Sequence, residues 1–161
     1  MFKRVLIANR GEIALRILRA CRALDLETVG VYSQADADAL HLRYVDRKVC
    51  VGPPASGESY LSIRNIIGAA EVTKADAIHP GYGFLAENED FARACSENDL
   101  VFIGPKPEAM ALMGNKARAR ETMMEAGVPV LPGMTSADLD ESTALKVAED
   151  LGFHHTDVGS A

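Results

Sequence analysis

Short apolar runs alternate with stretches of helical period along the first two thirds of the chain. Lys3–Ala8 is apolar and ends in Asn9-Arg10-Gly11, the pattern of a buried strand entering a turn. From Glu12 to Leu24 the period becomes helical. Ile13, Ile17, Cys21 and Leu24 fall on one face, flanked by Ala14 and Leu18, while Glu12, Arg16, Arg19 and Ala23 fall on the other. Glu12 precedes Arg16 by four residues, an ion-pair spacing worth about 0.2–0.5 kcal/mol. Glu27–Tyr32 reads as a second strand, Asp36–His41 as a short helix and Arg47–Val51 as a third strand, followed by a loop over Gly52–Gly57. Ser59–Thr73 reads as a helix with Leu61, Ile63, Ile66, Ile67 and Ala70 mostly inward. Ala75–His79 is the fourth strand, Pro80–Gly83 the loop at its carboxyl end, Glu87–Asn98 a helix, and Leu100–Ile103 a fifth strand closed by Gly104-Pro105.

Five short apolar strands alternating with helices predict a doubly wound α/β domain, a parallel sheet covered on both faces. The pattern changes after Pro105. Pro107–Met113 and Ala117–Ala126 are helical, Gly127–Gly133 is an extended connector, and Leu139–Leu151 is helical again. A boundary near residue 112 is expected, the remainder belonging to a following unit.

Composition changes this picture little. The chain has 161 residues, 48% hydrophobic and 25% charged, ordinary values for a globular protein. Its net charge of -6 and scattered basic residues leave no stripe to neutralise phosphates, which argues against nucleic acid as a partner. The apolar runs fall far short of the roughly 20 residues a bilayer requires, and Val5–Ala8 is too short for a signal-peptide core, so a soluble cytoplasmic protein is expected. Cys21, Cys50 and Cys95 each sit in apolar stretches and read as buried reduced thiols.

Ligands of such folds lie at the carboxyl ends of the strands. The first turn holds one glycine, Gly11, where a dinucleotide fingerprint needs three, and Glu12 would repel a pyrophosphate, so an NAD site is disfavoured. Gly114-Asn115-Lys116 lacks the upstream glycine of a phosphate-binding Walker loop. His154-His155 has no apparent third ligand, and no metal site is expected. The most unusual local sequence is His79-Pro80-Gly81-Tyr82-Gly83, where two glycines permit close approach around one aromatic ring. Tyr82 suits packing on a ring-shaped substrate. A tight turn whose tyrosine covers the core edge explains the same residues.

Val5-Leu-Ile-Ala-Asn-Arg-Gly-Glu-Ile-Ala-Leu-Arg16, His79–Asn88, Phe102-Ile-Gly-Pro-Lys106 and Leu112-Met-Gly-Asn-Lys116 resemble, in order and at fitting separations, the start of the biotin carboxylase family. That family includes the carboxylase subunit of acetyl-CoA carboxylase and the leading domains of pyruvate and propionyl-CoA carboxylases. The resemblance spans residues 2 to about 153. It implies a Rossmann-like pre-ATP-grasp domain over 1–112, the helical start of an incomplete ATP-grasp domain over 113–153, and a non-family tail over 154–161. It also implies an ATP-dependent ligase, forming a C–N bond. ATP activates bicarbonate to carboxyphosphate, and the carboxyl group passes to a ureido nitrogen of biotin on a biotin carboxyl carrier protein or domain, with Mg2+ or Mn2+ clamping the phosphates. The choice of acyl-CoA or keto acid lies in a separate carboxyltransferase.

Residue by residue, Lys116 matches the family's first ATP-contacting lysine, although a solvated lysine at a helix start explains it too. Tyr82 and Gly83 match the loop bordering the biotin pocket. Arg16 and Arg19 match positions of a homodimer contact in bacterial members, and an ordinary charged helix face fits them equally. An acidic partner expected on that face is Ala23 here. After Phe153 the family continues with a second ATP lysine and a glycine-rich lid, whereas this chain reads His154–Ala161 with no lysine after residue 146. No catalytic residue is therefore expected within these positions, and the chain alone is expected to be inactive. A self-associating structural module is the competing reading. Another ATP-grasp ligase, such as a relative of carbamoyl-phosphate synthetase, is disfavoured by the Ile7–Glu12 and His79–Gly83 motifs.

Overall fold

The computed structural model describes residues 2–130 together with 145, 146, 149 and 152. Its strands are β1 (Arg4–Ile7), β2 (Glu27–Ser33), β3 (Arg47–Gly52), β4 (Ala77–His79) and β5 (Val101–Phe102), and its helices are α1 (Gly11–Ala23), α2 (Ile63–Thr73), α3 (Glu89–Glu97), α4 (Pro107–Gly114) and α5 (Lys116–Glu125). The five strands form one parallel sheet in the order β3-β2-β1-β4-β5. This is the expected doubly wound α/β architecture.

Strand period builds the two layers. Val5 and Ile7 of β1 and Ala77 of β4 point to one face, where they pack on Ala14, Ile17, Leu18 and Cys21 of α1. Their neighbours Leu6, Ala8 and Ile78 point to the other, against Ile66, Ile67 and Ala70 of α2 and Phe91 and Cys95 of α3. Phe91 and Phe102 meet edge to face there, with centroids 5.8 Å apart. Each fully buried aliphatic or aromatic side chain contributes about 1.5–3 kcal/mol, so this double burial drives the fold.

Several elements differ in detail from the sequence expectation. The apolar stripe of α1 is centred on Ala14, Ile17, Leu18 and Cys21, and Leu24 is exposed because the helix ends at Ala23 and the chain turns at Asp25 with φ 54°. Asp36–His41 is not one helix but two short 3-10 turns, Gln34–Asp36 and Leu40–Arg43. There the Asp36 carboxylate is occupied by Ser33, Tyr60 and Arg10, and buried His41 turns inward so that its Nε2 meets the Val31 carbonyl at 3.3 Å. α2 begins at Ile63 rather than Ser59 because the Ser62 side chain accepts from the Asn65 N–H and caps it, which leaves Leu61 exposed. Cys21 and Cys95 are buried, but Cys50 is exposed. Val49 and Val51 face the core from the marginal strand β3, and the period of two turns Cys50 the other way. Among the described residues Glu12 and Arg16 form no ion pair.

The chain divides into two compact units, 1–110 and 111–161. In the second, Asn115 caps α5 by accepting from the Ala117 and Arg118 N–H groups at 3.1 Å each. Residues 131–133 of the expected connector, most of the helix over Leu139–Leu151, and the pair His154-His155 lie outside the described residues. No helix among the described residues is long and apolar enough to cross a membrane.

At the amino ends of the strands, the Asp76 carboxylate accepts the N–H groups of Lys3 and Arg4 at 2.8 Å each, and these bonds hold it below the usual carboxylate range. Asp46 is held low in the same way by the Thr28 hydroxyl and N–H. A carboxylate with a depressed folded pKa adds stability above its unfolded value of about 3.9 and loses it as pH falls through the folded value. The urea midpoint is therefore expected to fall between pH 5 and pH 2, and Asp76→Asn should flatten that fall. A midpoint with the same acid sensitivity in Asp76→Asn would contradict the assignment.

Candidate functional site

The connections from β1 through β2 to β3 run one way across the sheet, and β4 and β5 lie on the opposite side of β1. The carboxyl ends of β1 and β4 therefore flank the point where the strand order reverses, the place where doubly wound sheets open a crevice. Asn9-Arg10-Gly11 leaves β1 there and Pro80–Gly83 leaves β4.

Asn9 fills the crevice. It is 4% exposed, and its Nδ2 donates to the carbonyls of Pro80 and Tyr82 at 2.8 Å each, while its Oδ1 accepts the Arg10 N–H at 2.9 Å. The Gly81 N–H donates to His79 Nδ1 at 3.1 Å, so in the neutral ring Nε2 carries the proton. Burial lowers the His79 pKa and favours that neutral ring. Gly81 sits at φ +70°, and a Cβ there would lie 2.9 Å from Asn9 Nδ2 and 3.0 Å from Ile13 Cγ1, so the loop needs both the backbone freedom and the space.

Arg10 forms a second layer. Its Nη1 donates to Asp36 Oδ2 at 2.9 Å, and the guanidinium lies 5.2 Å from the Tyr60 ring centroid and 5.7 Å from that of Phe84. Those two rings stack at 5.0 Å. The same Asp36 oxygen accepts the Tyr60 hydroxyl at 2.6 Å and the Ser33 hydroxyl at 2.9 Å. Partial burial alone would raise the Asp36 pKa, but the donors Tyr60, Arg10 and Ser33 outweigh it and hold the carboxyl below its ordinary range. Burial, and then donation to that carboxylate, pushes the Tyr60 hydroxyl up to about 12.

Tyr82 and Gly83 stand at the mouth of this arrangement. Tyr82 is 62% exposed, with its hydroxyl 3.5 Å from Glu12 Oε2, and Gly83 at φ +66° has open space where a Cβ would be. Arg16 and Arg19 are exposed farther along α1, as is Ala23. Lys116 is the first residue of α5 in the second unit, and its side chain lies outside what the structure describes. Of the residues singled out by sequence, the structure thus brings only Tyr82 and Gly83 together at the strand ends. Asn9, Arg10, Asp36, Tyr60 and Phe84 were not singled out. Their one local signal was Asn-Arg-Gly at a strand end, because the contacts that bring Arg10, Asp36, Tyr60 and Phe84 together span 24 to 74 positions and are invisible to local pattern. Among the described residues no group of three His, Cys, Asp or Glu could hold a metal ion. The geometry supplies a shaped, hydrogen-bonded wall with a projecting ring, suited to binding.

Residues 1–110 match the model of the biotin carboxylase N-terminal domain. The chain is 54% identical over 153 residues to biotin carboxylase 1 of Bacillus subtilis, covering 95% of this chain and 34% of that protein. Its fold superposes with a TM-score of 0.88, at 50% identity, on a Campylobacter jejuni biotin carboxylase solved with β-γ-ATP, covering 94% of this chain and 34% of that one. It superposes at 0.85, with 45% identity and coverage of 94% and 33%, on the biotin carboxylase domain dimer of Hydrogenobacter thermophilus 2-oxoglutarate carboxylase, solved with MgADP, ADP and bicarbonate. The chain spans about a third of the length of these relatives.

Gly81 and Gly83 separate strain from crowding. Gly83→Ala meets only the cost of a positive φ, about 1–3 kcal/mol. Gly81→Ala meets that cost plus a clash with Asn9 and Ile13, so its loss of stability in urea unfolding should be the larger. Equal losses would contradict the close packing of Asn9 under the loop.

Proposed function

Because the chain belongs to the biotin carboxylase family through its N-terminal domain, we propose that it forms the leading wall of an ATP-dependent ligase that carboxylates carrier-bound biotin with bicarbonate. The observation that carries this reading is the rigidly tethered Pro80–Gly83 loop at the switch point, in a chain so close to biotin carboxylases in sequence and fold. Tyr82 and Gly83 border the biotin pocket in this reading. The exposed ring can lie against an apolar bicyclic ligand, and the open space at Gly83 lets it approach the backbone.

Lys116 would reach an ATP phosphate from the start of α5, and the division near residue 112 would separate the pre-ATP-grasp domain from the beginning of the ATP-grasp domain. ATP and Mg2+ or Mn2+ would supply phosphoryl transfer to bicarbonate and charge neutralisation. The described residues do not fit the metal, having no cluster of ligands for it, so its carboxylates would come from the other two thirds of the enzyme. The partners in this reading are the biotin carboxyl carrier and a carboxyltransferase.

The purified 161-residue chain is therefore expected to release no phosphate from ATP in a biotin-dependent manner with bicarbonate and Mg2+ present. Its matched 153 residues, placed in the corresponding stretch of the Bacillus subtilis enzyme, are expected to sustain that release. Turnover by the isolated chain, or a folded but silent fusion, would overturn the proposal. The exposed Arg16 and Arg19 on α1 are assigned to a homodimer contact. In sedimentation of the fusion, Arg19→Glu should shift dimer towards monomer, and an unchanged profile would remove them from the interface.

A further inference from the structure

Asn9 and Arg10 are adjacent in the chain, yet they hold the loop after β4 at two separate places. Asn9 takes the carbonyls of Pro80 and Tyr82, and the Arg10 guanidinium lies against the face of Phe84. The segment between needs such tethers. Gly81, Gly83 and Phe84 all have positive φ, at 70°, 66° and 38°, and two of the three are glycines with the widest backbone freedom. Tyr82 itself finds little support, because its ring is mostly in solvent and its hydroxyl reaches only Glu12 at 3.5 Å, beyond a good O–H···O distance. The direction of the ring must then be set through its backbone. The described bonds to the Pro80–Gly83 backbone are two from Asn9 Nδ2, the Gly81 N–H to His79 Nδ1, and the Ala86 N–H to the Gly83 carbonyl at 2.8 Å, and of these only Asn9 reaches the Tyr82 carbonyl.

We propose that Asn9 and Arg10 are positioning residues for biotin, fixing the height and angle of Tyr82 without touching the ligand. This rests on the reading of Tyr82 as part of the biotin pocket. The Asn9 carboxamide is well made for the task, since both of its amide hydrogens and its oxygen are used and it is buried from water. Removing it would leave two carbonyls without their donor and release the Tyr82 peptide. Arg10 is in turn fixed by Asp36, which also binds the hydroxyl of the ring stacked on Phe84, so the distal end of the loop is held by one connected charge and stacking network.

The test uses the fusion enzyme described above, with kinetics for free biotin and for ATP. Asn9→Ala is expected to raise the KM for biotin about tenfold while kcat stays within about twofold and the KM for ATP is unchanged. Arg10→Met, on a more exposed side chain, should act in the same direction, with Arg10→Lys partly restoring the value; this arm stands if Asn9→Ala fails to fold. Tyr82→Ala should raise the KM for biotin by itself, and adding Asn9→Ala or Arg10→Met to it should change nothing further, because the first change removes the group that the others position. Full additivity, or a parallel rise in the KM for ATP, would overturn the positioning role while leaving Tyr82 in the pocket. An unchanged KM in Tyr82→Ala would overturn the pocket assignment and this proposal with it.

Discussion

The carboxamide of Asn9, with both N–H bonds given to the loop after β4, is the interaction around which the candidate site is organised. At the reversal point of a doubly wound sheet two strands part company, and the crevice between their ends must be filled by ligand, water or protein. Here protein fills it. The carbonyls of Pro80 and Tyr82 would otherwise lie in a poorly hydrated cleft, where an unmade hydrogen bond costs about 1–3 kcal/mol. One short side chain at the end of β1 answers both, and Gly81 is the residue small enough to let it come that close.

The rest of the α/β unit serves this geometry. α1 covers one face of the sheet, α2 and α3 cover the other, and β1 lies between two buried layers with Val5, Leu6, Ile7 and Ala8 all buried. A one-residue slip would turn every side chain of β1 into the opposite packed layer, so the position of Asn9 is inherited from the core. Arg10 continues the order outward. Its charge, the Asp36 carboxylate and the stacked Tyr60 and Phe84 rings join the end of β1, the turn after β2, the segment before α2 and the β4 loop at one end of the sheet. In the proposed reading this arrangement borders a ligand pocket, and the phosphoryl chemistry falls to the longer remainder of the enzyme.

Much of the architecture was legible in the residue pattern because the strands are short, apolar and separated by glycine, proline and asparagine. Short apolar runs located all five strands, and the helical period located the main helices. What pattern could not reach was set by side-chain contacts between distant residues. Asp36 appeared to start a helix, but its carboxylate is claimed by Tyr60 and Arg10. Leu24 fitted the apolar stripe of a helix that ends one residue before it, and Cys50 fitted an apolar run whose alternate positions face opposite ways. At the site, Tyr82 and Gly83 were visible as an odd local sequence, whereas Asn9 carried no signal of its partners more than 70 positions away.

The grip of Asn9 on the loop can be observed directly in the 161-residue chain by nuclear magnetic resonance. Its two side-chain amide protons should resonate apart, exchange slowly with water, and show scalar couplings across hydrogen bonds to the carbonyl carbons of Pro80 and Tyr82. Side-chain protons exchanging as fast as those of a free carboxamide, with no coupling to either carbonyl, would contradict the account.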